Sequence, residues 1–232
     1  MKHPSLAANT AVLLAPTFRR RGFTLTEMAV VLVILALLIG GMVVPLTVQQ
    51  DIRNASETQK LLSDVTEALY GYALTHSALD GRPHLPCPDT DGDGRENRSG
   101  TACVSPEGDL PWAELGLGRQ DSWGNPLRYR VSDLFANRAA GFTLTTDGDL
   151  RICTDSTCNA VIADKVPAVI LSLGKNGSAT PGNADEAKNK TIAVADKDFV
   201  QRSPAPDGFD DIVAWLPRGI LVNRLLLAGR LP

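Results

Sequence analysis

The sequence predicts an α+β protein: a long N-terminal helix, membrane-spanning in its first half and an amphipathic spine in its second, packed on a small antiparallel β-sheet head. Three observations predict it. Met28–Gln50 is a run of 23 residues without a charge. Beyond it, apolar residues return at helical spacing as far as Tyr72, and from His84 onward short apolar runs alternate with Gly- and Pro-rich turns. The expected divisions are a leader over residues 1–22, a transmembrane or assembly helix over 23–50, a spine helix over 51–80 and a globular head over 81–232.

The 232 residues carry 23 Lys+Arg and 26 Asp+Glu, a net charge of −3, which argues against a basic nucleic-acid binder. An apolar fraction of 44% with 21% charged residues excludes a disordered or collagen-like chain. The charge is unevenly spread. Residues 1–22 hold Lys2, Arg19, Arg20 and Arg21 and no acidic residue, and without them 19 basic residues face 26 acidic ones. A basic leader, an apolar segment and an acidic remainder is the layout of a chain handled at a membrane.

The apolar run Met28–Leu46 matches the length that a helix rising about 1.5 Å per residue needs to cross roughly 30 Å of hydrocarbon. It has no polar face, unlike a soluble core helix of that length. Arg19, Arg20 and Arg21 keep its N-terminal side cytoplasmic, so the head is expected on the far side, periplasmic in a Gram-negative bacterium. A secretory signal peptide is the rival reading, but the run ends in Gly40-Gly41-Met42-Val43-Val44-Pro45 rather than in a small-residue cleavage site. Pro45, after a pair of glycines, marks a point where the helix bends or locally melts.

The residues before the run are more specific: Arg19-Arg20-Arg21-Gly22-Phe23-Thr24-Leu25-Thr26-Glu27. This resembles the type IV prepilin class, in which a basic leader ends in Gly and is followed by Phe and, four residues on, Glu. The resemblance implies cleavage by a prepilin peptidase between Gly22 and Phe23, N-methylation of Phe23, and retention of the apolar segment as the assembly helix. A lone carboxylate at the edge of an apolar helix requires a partner. Glu27 is expected to find it in the N-terminal amine of a neighbouring subunit; otherwise it sits at the headgroup level.

Past the membrane Ile52, Ala55, Leu62, Val65, Leu69 and Tyr72 form the apolar face of the spine, which is expected to run on to Leu79 and stop near Asp80-Gly81, with Pro83 just after. In the head, strands are expected at 127–131, 142–146, 150–153, 168–173 and 212–216, a hairpin turn at 146–150, and a final helix at 220–228. Four cysteines, Cys87, Cys103, Cys153 and Cys158, imply disulfides in an extracytoplasmic head. Of three possible pairings the local one, Cys87–Cys103 with Cys153–Cys158, closes short loops and is the expected one. A four-cysteine zinc site is the alternative, although neither pair has the two-residue knuckle spacing.

Three head segments resemble boxes of the major pseudopilins of type II secretion, in the same order: Asp121-Ser122-Trp123-Gly124-Asn125-Pro126 with Tyr129, Ser172-Leu173-Gly174-Lys175-Asn176-Gly177, and Asp211-Ile212 with Trp215. Trp123 and Trp215 are expected to anchor the core. The resemblance implies calcium in the loop between the second and third boxes, where Asn176 and Asp211 sit at the matching positions with Asp185, Glu186 and Asp210 nearby, and Asn176, Asp185 and Asp211 are the candidate ligands. Here 33 residues separate Gly177 from Asp211 and Asn176 replaces an Asp, so the loop departs from the family's. A second candidate for calcium is Asp89-Thr90-Asp91-Gly92-Asp93-Gly94, the front of a calcium loop whose twelfth position is Gly100 rather than Glu; Glu96 or Asn97 would have to substitute. The other reading of this turn is a solvated loop fixed by Cys87.

Three histidines and no nucleophile elbow, zinc-protease or phosphate-loop motif leave little basis for an enzyme. The expected function is that of a structural filament subunit, a type II secretion pseudopilin or a minor pilin. Its partners would be other subunits, the prepilin peptidase and an inner-membrane assembly platform. The alternative is a tip subunit whose head grips DNA, a substrate or a surface.

Overall fold

The computed structural model describes residues 22–177, 179–191 and 196–231, with the backbone alone over 40–46. The leader expected over residues 1–22 lies outside the described residues except for Gly22. The chain divides into two compact units, residues 1–47 and 48–232.

Helix α1 spans Leu25–Thr75. In the first unit its described side chains, from Met28 to Ile39, are apolar and exposed all round. The span expected over 23–50 includes residues 40–46, Pro45 among them, whose side chains lie outside the described ones. Among the described residues no helix is long and apolar enough to cross a membrane.

The second unit is built on an antiparallel sheet in the order β3 (Glu107–Asp109), β4 (Arg128–Val131), β7 (Ala168–Ser172), β9 (Ile212–Trp215). Its register pairs Tyr129 with Ile170 and Ile170 with Ala214. The two-residue period of β-strands then gives the sheet two faces. Tyr129, Val131, Ala168 and Ile170 pack with Leu62, Val65, Leu69, Tyr70 and Ala73 of α1, so the helix covers one face. Val169, Leu171 and Val213 point the other way, into a second core with Leu150, Ile152, Val166 and Phe199. Those four come from a three-stranded sheet, β6 (Val161–Val166), β5 (Leu150–Cys153) and β8 (Asp198–Val200). Removing a buried Leu side chain such as that of Leu69 from such a core costs about 2–5 kcal/mol.

The remaining elements are short: the hairpin β1 (Arg98–Ser99) and β2 (Ala102–Cys103), and the helices α2 (Asp133–Ala136), α3 (Ala184–Lys190) and α4 (Arg218–Leu227). Helix α4 adds Leu221 and Leu225 to the first core. Its Arg224 pairs with Glu67 of α1 and lies 4.3 Å from the centre of the Tyr70 ring. The face that carries Val169 and Leu171 also holds a buried ion triad: Glu107 on β3 takes Arg128 and, at 3.2 Å, Arg130 of the adjacent strand. Burial still raises the Glu107 carboxyl, against the pull of both arginines.

Several expectations are corrected. The spine ends at Thr75, four residues short of Leu79. Thr75 Oγ1 turns back to the Gly71 carbonyl, and the Arg230 guanidinium donates to the His76 carbonyl at 3.0 Å, closing the helix end. Asp80-Gly81 instead forms the turn that follows, with Gly81 at φ +82°. The strand expected at 142–146 is a turn, and with it the hairpin at 146–150 disappears. Thr143 N–H donates to Thr146 Oγ1 at 2.9 Å and Thr146 N–H to the Thr143 carbonyl at 3.2 Å, so local bonds replace a strand ladder. Trp215 is half-buried and packs against the second core from its edge, while Trp123, also half-buried, belongs to neither core. The strands expected at 127–131, 150–153, 168–173 and 212–216 and the final helix are present, with ends shifted by a residue or two.

Candidate functional site

At the start of the first unit, Gly22 has open space around it and Phe23 is 76% exposed, so the Gly22–Phe23 bond is accessible. The next four residues form a capping box. Thr24 N–H and Thr24 Oγ1 each donate to Glu27 Oε2 at 3.1 Å, and Glu27 N–H donates to Thr24 Oγ1 at 3.2 Å. This role of Glu27 is one the sequence could have announced, since Thr-x-x-Glu ahead of an apolar run is its signature. One carboxylate therefore starts the helix and stands at the edge of the exposed apolar stripe from Met28 to Ile39.

In the second unit the three boxes meet. Asp121 Oδ1 accepts the N–H groups of Trp123 and Asn125 at 3.0 and 2.8 Å, while Oδ2 accepts Ser172 Oγ at 2.5 Å. Asn125 Nδ2 reaches the Gly174 carbonyl at 2.6 Å. The first box is thereby tied to the second, and the third forms β9 beside β7. Gly174 has φ +62°, and a Cβ there would fall 2.1 Å from Asp210 Oδ1. Only glycine fits that approach.

Behind this turn lies a carboxylate cluster. Glu186, Asp210 and Asp211 each offer an oxygen within 4.8 Å of the others. Glu186 and Asp211 are both 3% exposed. Glu186 Oε1 accepts Asn176 Nδ2 at 2.9 Å and Oε2 accepts the Gly182 N–H at 3.2 Å. Burial, reinforced by the charges of Glu186 and Asp210, lifts the Asp211 carboxyl to about 7, against the pull of the Asn189 amide. Burial and Glu186 also raise Asp210, although the Asn176 and Lys175 N–H groups draw it down. Of the candidate ligands named from sequence, Asp211 belongs to this cluster, with Glu186 and Asp210 from among the acids noted nearby, and Asn176 borders it. Asp185 points elsewhere, accepting the Ser156 N–H at 2.8 Å and pairing with Arg202 at 2.7 Å. Its neighbour Glu186 takes the inward position because Asn183 caps α3 through the Glu186 N–H at 2.9 Å. The Asn-x-x-Glu spacing was the available signal.

The second turn, Asp89, Asp91 and Asp93, also brings three carboxylate oxygens within 4.8 Å. Here the backbone fills much of their capacity. Asp89 accepts N–H groups from Asp91, Gly92 and Gly94, Asp91 accepts Asp93 N–H, and Asp93 accepts Arg95 N–H. Glu96 is directed away, bonded to the Cys87 N–H at 2.9 Å and Arg98 at 2.8 Å. Asn97 stays in the loop, donating to Asp91 Oδ2 at 3.1 Å.

The four cysteines form the two local disulfides, Cys87–Cys103 and Cys153–Cys158, which excludes the four-cysteine zinc alternative. The first ties the Asp89 turn to the β1–β2 hairpin. The second closes the loop whose Ser156 N–H holds Asp185.

No curated protein and no solved structure matches the chain. Residues 17–43 match the family model described as the prokaryotic N-terminal methylation motif; the match covers the segment that carries Gly22, Phe23 and Glu27, is consistent with the type IV prepilin-like and pseudopilin class, and supports a type IV pilin-like or pseudopilin subunit.

Proposed function

We propose that this chain is a structural subunit of a type IV filament, a pseudopilin of type II secretion or a minor pilin, and that it works by assembly, not catalysis. Prepilin peptidase cuts between Gly22 and Phe23. The apolar helix then holds the subunit in the inner membrane, with the head periplasmic, until an assembly platform moves it into a helical bundle of subunits. The observation that carries this reading is the methylation motif over residues 17–43 with Gly22, Phe23 and Glu27 in place. The exposed apolar stripe from Met28 to Ile39 supports it, because such a surface needs lipid or other helices to cover it.

Gly22→Leu tests the proposal. The variant is expected to keep its leader, remain in the inner membrane and be missing from sheared filaments, while the parent chain loses residues 1–22 and enters them. A Gly22→Leu chain that is trimmed and incorporated like its parent would contradict the proposed processing.

A further inference from the structure

Asn176 and Gly177 form a pair with a chemistry of its own. An asparagine side-chain amide can be attacked by the backbone nitrogen of the next residue, and a glycine there, lacking a Cβ, leaves that attack unhindered. Of the ten asparagines in the chain, only Asn176 precedes a glycine. Packing holds that glycine in place: a Cβ at Gly177 would lie 2.8 Å from Leu173 Cβ and 3.0 Å from Asn125 Nδ2. The Gly177 N–H reaches the Gly174 carbonyl only at 3.5 Å, beyond the usual N–H···O range of about 2.7–3.2 Å, so the attacking nitrogen is not tied down. Asn176 is half-buried, within reach of water, and its amide is held through Nδ2, which donates to Glu186 Oε1 at 2.9 Å and to the Gly208 carbonyl at 3.1 Å.

We infer that Asn176 is a site of spontaneous modification, closing a succinimide with Gly177 and opening to aspartate or isoaspartate, and that this weakens the head as the molecule ages. The Gly177 nitrogen bonds to Asn176 Cγ, the Cγ–Nδ2 bond breaks, and the Gly177 proton leaves with Nδ2 as ammonia. Water then opens the ring. Breaking the new bond between Cγ and the Gly177 nitrogen leaves aspartate at position 176. Breaking the original peptide bond instead leaves isoaspartate, with the main chain routed through the side-chain carbonyl. Either product puts a negative charge at position 176, next to Glu186, Asp210 and Asp211, whose oxygens already lie within 4.8 Å of one another. Glu186 Oε1 and the Gly208 carbonyl lose their shared donor, and like charges close together repel. Isoaspartate also adds a backbone atom between Gly174 and Gly177, in the turn that Asn125 Nδ2 holds through the Gly174 carbonyl at 2.6 Å. The inference concerns the head alone and does not depend on the filament reading.

The test uses the full chain in detergent, aged in slightly alkaline buffer, with a fresh sample digested in parallel to control for conversion during digestion. Cleavage after Lys175 places Asn176 at the start of its tryptic peptide, so tandem mass spectrometry reads its conversion from amide to acid directly. Position 176 is expected to convert while the other asparagines keep their amides, and to yield isoaspartate together with aspartate, the signature of a succinimide. The aged parent should melt at a lower temperature than the fresh one, as should freshly made Asn176→Asp. Asn176→Gln should hold its melting temperature through the same ageing; if it fails to fold, the aged and fresh parent still decide the outcome. An amide that stays intact in the folded chain, whether or not it converts in the unfolded one, would overturn the inference. Aspartate without isoaspartate would rule out the succinimide, and a fresh Asn176→Asp that melts with the parent would rule out the weakening.

Discussion

Replacing Glu27 by Ala removes two things at once, and the structure allows them to be separated. The first is the capping box: both Thr24 donors lose the carboxylate they share at 3.1 Å. A lost N-terminal cap costs about 0.5–2 kcal/mol. The second exists only in the filament, where a neighbour's Phe23 amine loses its buried partner, a loss of about 3–5 kcal/mol. Thr24→Val removes the hydroxyl that receives the Glu27 N–H at 3.2 Å and leaves the carboxylate in place. It disturbs the cap alone, whereas Glu27→Ala disturbs both. The expected gap is at least about 2 kcal/mol, close to thirtyfold in incorporation. The assay is crosslinking of each variant into sheared filaments beside a wild-type major subunit, normalised to membrane-resident protein. Thr24→Ser should behave as wild type. If Thr24→Val incorporates as poorly as Glu27→Ala, the carboxylate acts only as a helix cap and pairing across subunits is wrong.

Three further outcomes concern the head. Gly174→Ala should lower the denaturant midpoint by more than Gly208→Ala: both have positive φ, worth roughly 1–2 kcal/mol against a side chain, but only at Gly174 does the new Cβ also strike Asp210. Replacing both cysteines by Ser should cost about 3 kcal/mol for Cys87–Cys103, with a sequence separation of 16, and about 2 kcal/mol for Cys153–Cys158, with a separation of 5, read as the order of melting temperatures. Burial depresses the pKa of His84, which packs edge-on against Tyr72 and faces Glu96, Arg98 and Arg138. Asp211, raised to about 7, adds stability as pH falls from there because the folded chain binds its proton first, whereas His84, whose folded pKa is the lower one, takes stability away as pH falls below about 6.5. That loss should disappear in His84→Phe, measured by melting temperature between pH 5 and 7.5.

The methylation motif over residues 17–43 was legible in the sequence because its signals are contiguous: a charge-free run, a basic flank and the short Gly22–Glu27 box. Strands β7 and β9 were legible for a similar reason, since each is a contiguous apolar run, buried throughout in β7 and mostly half-buried in β9. Strand β6 was not, because Val161–Val166 is mostly exposed and pairs with β5 through register shifts. Strand β8 was also missed: it pairs with β5 in parallel, across more than forty residues, and no local pattern announces such a partner. The Thr-rich 142–146 segment has strand composition, but its hydroxyls bond to one another and to nearby N–H groups, which favours a turn. At the acidic cluster the sequence gives two adjacent acids, Asp185 and Glu186. The Asn183 cap on the Glu186 N–H, carried by the Asn-x-x-Glu spacing, is the local signal that separates the two.

Entry of the chain into a filament as a processed subunit can be read from the mass of the polypeptide recovered from sheared filaments. The expected result is a polypeptide beginning at Phe23, carrying one methyl group on its amine, with Glu27 and the whole apolar helix retained. A recovered chain that begins within residues 43–50 would show removal of the apolar segment as a signal peptide, and a chain that keeps residues 1–22 or never appears in the filament fraction would contradict the account as well.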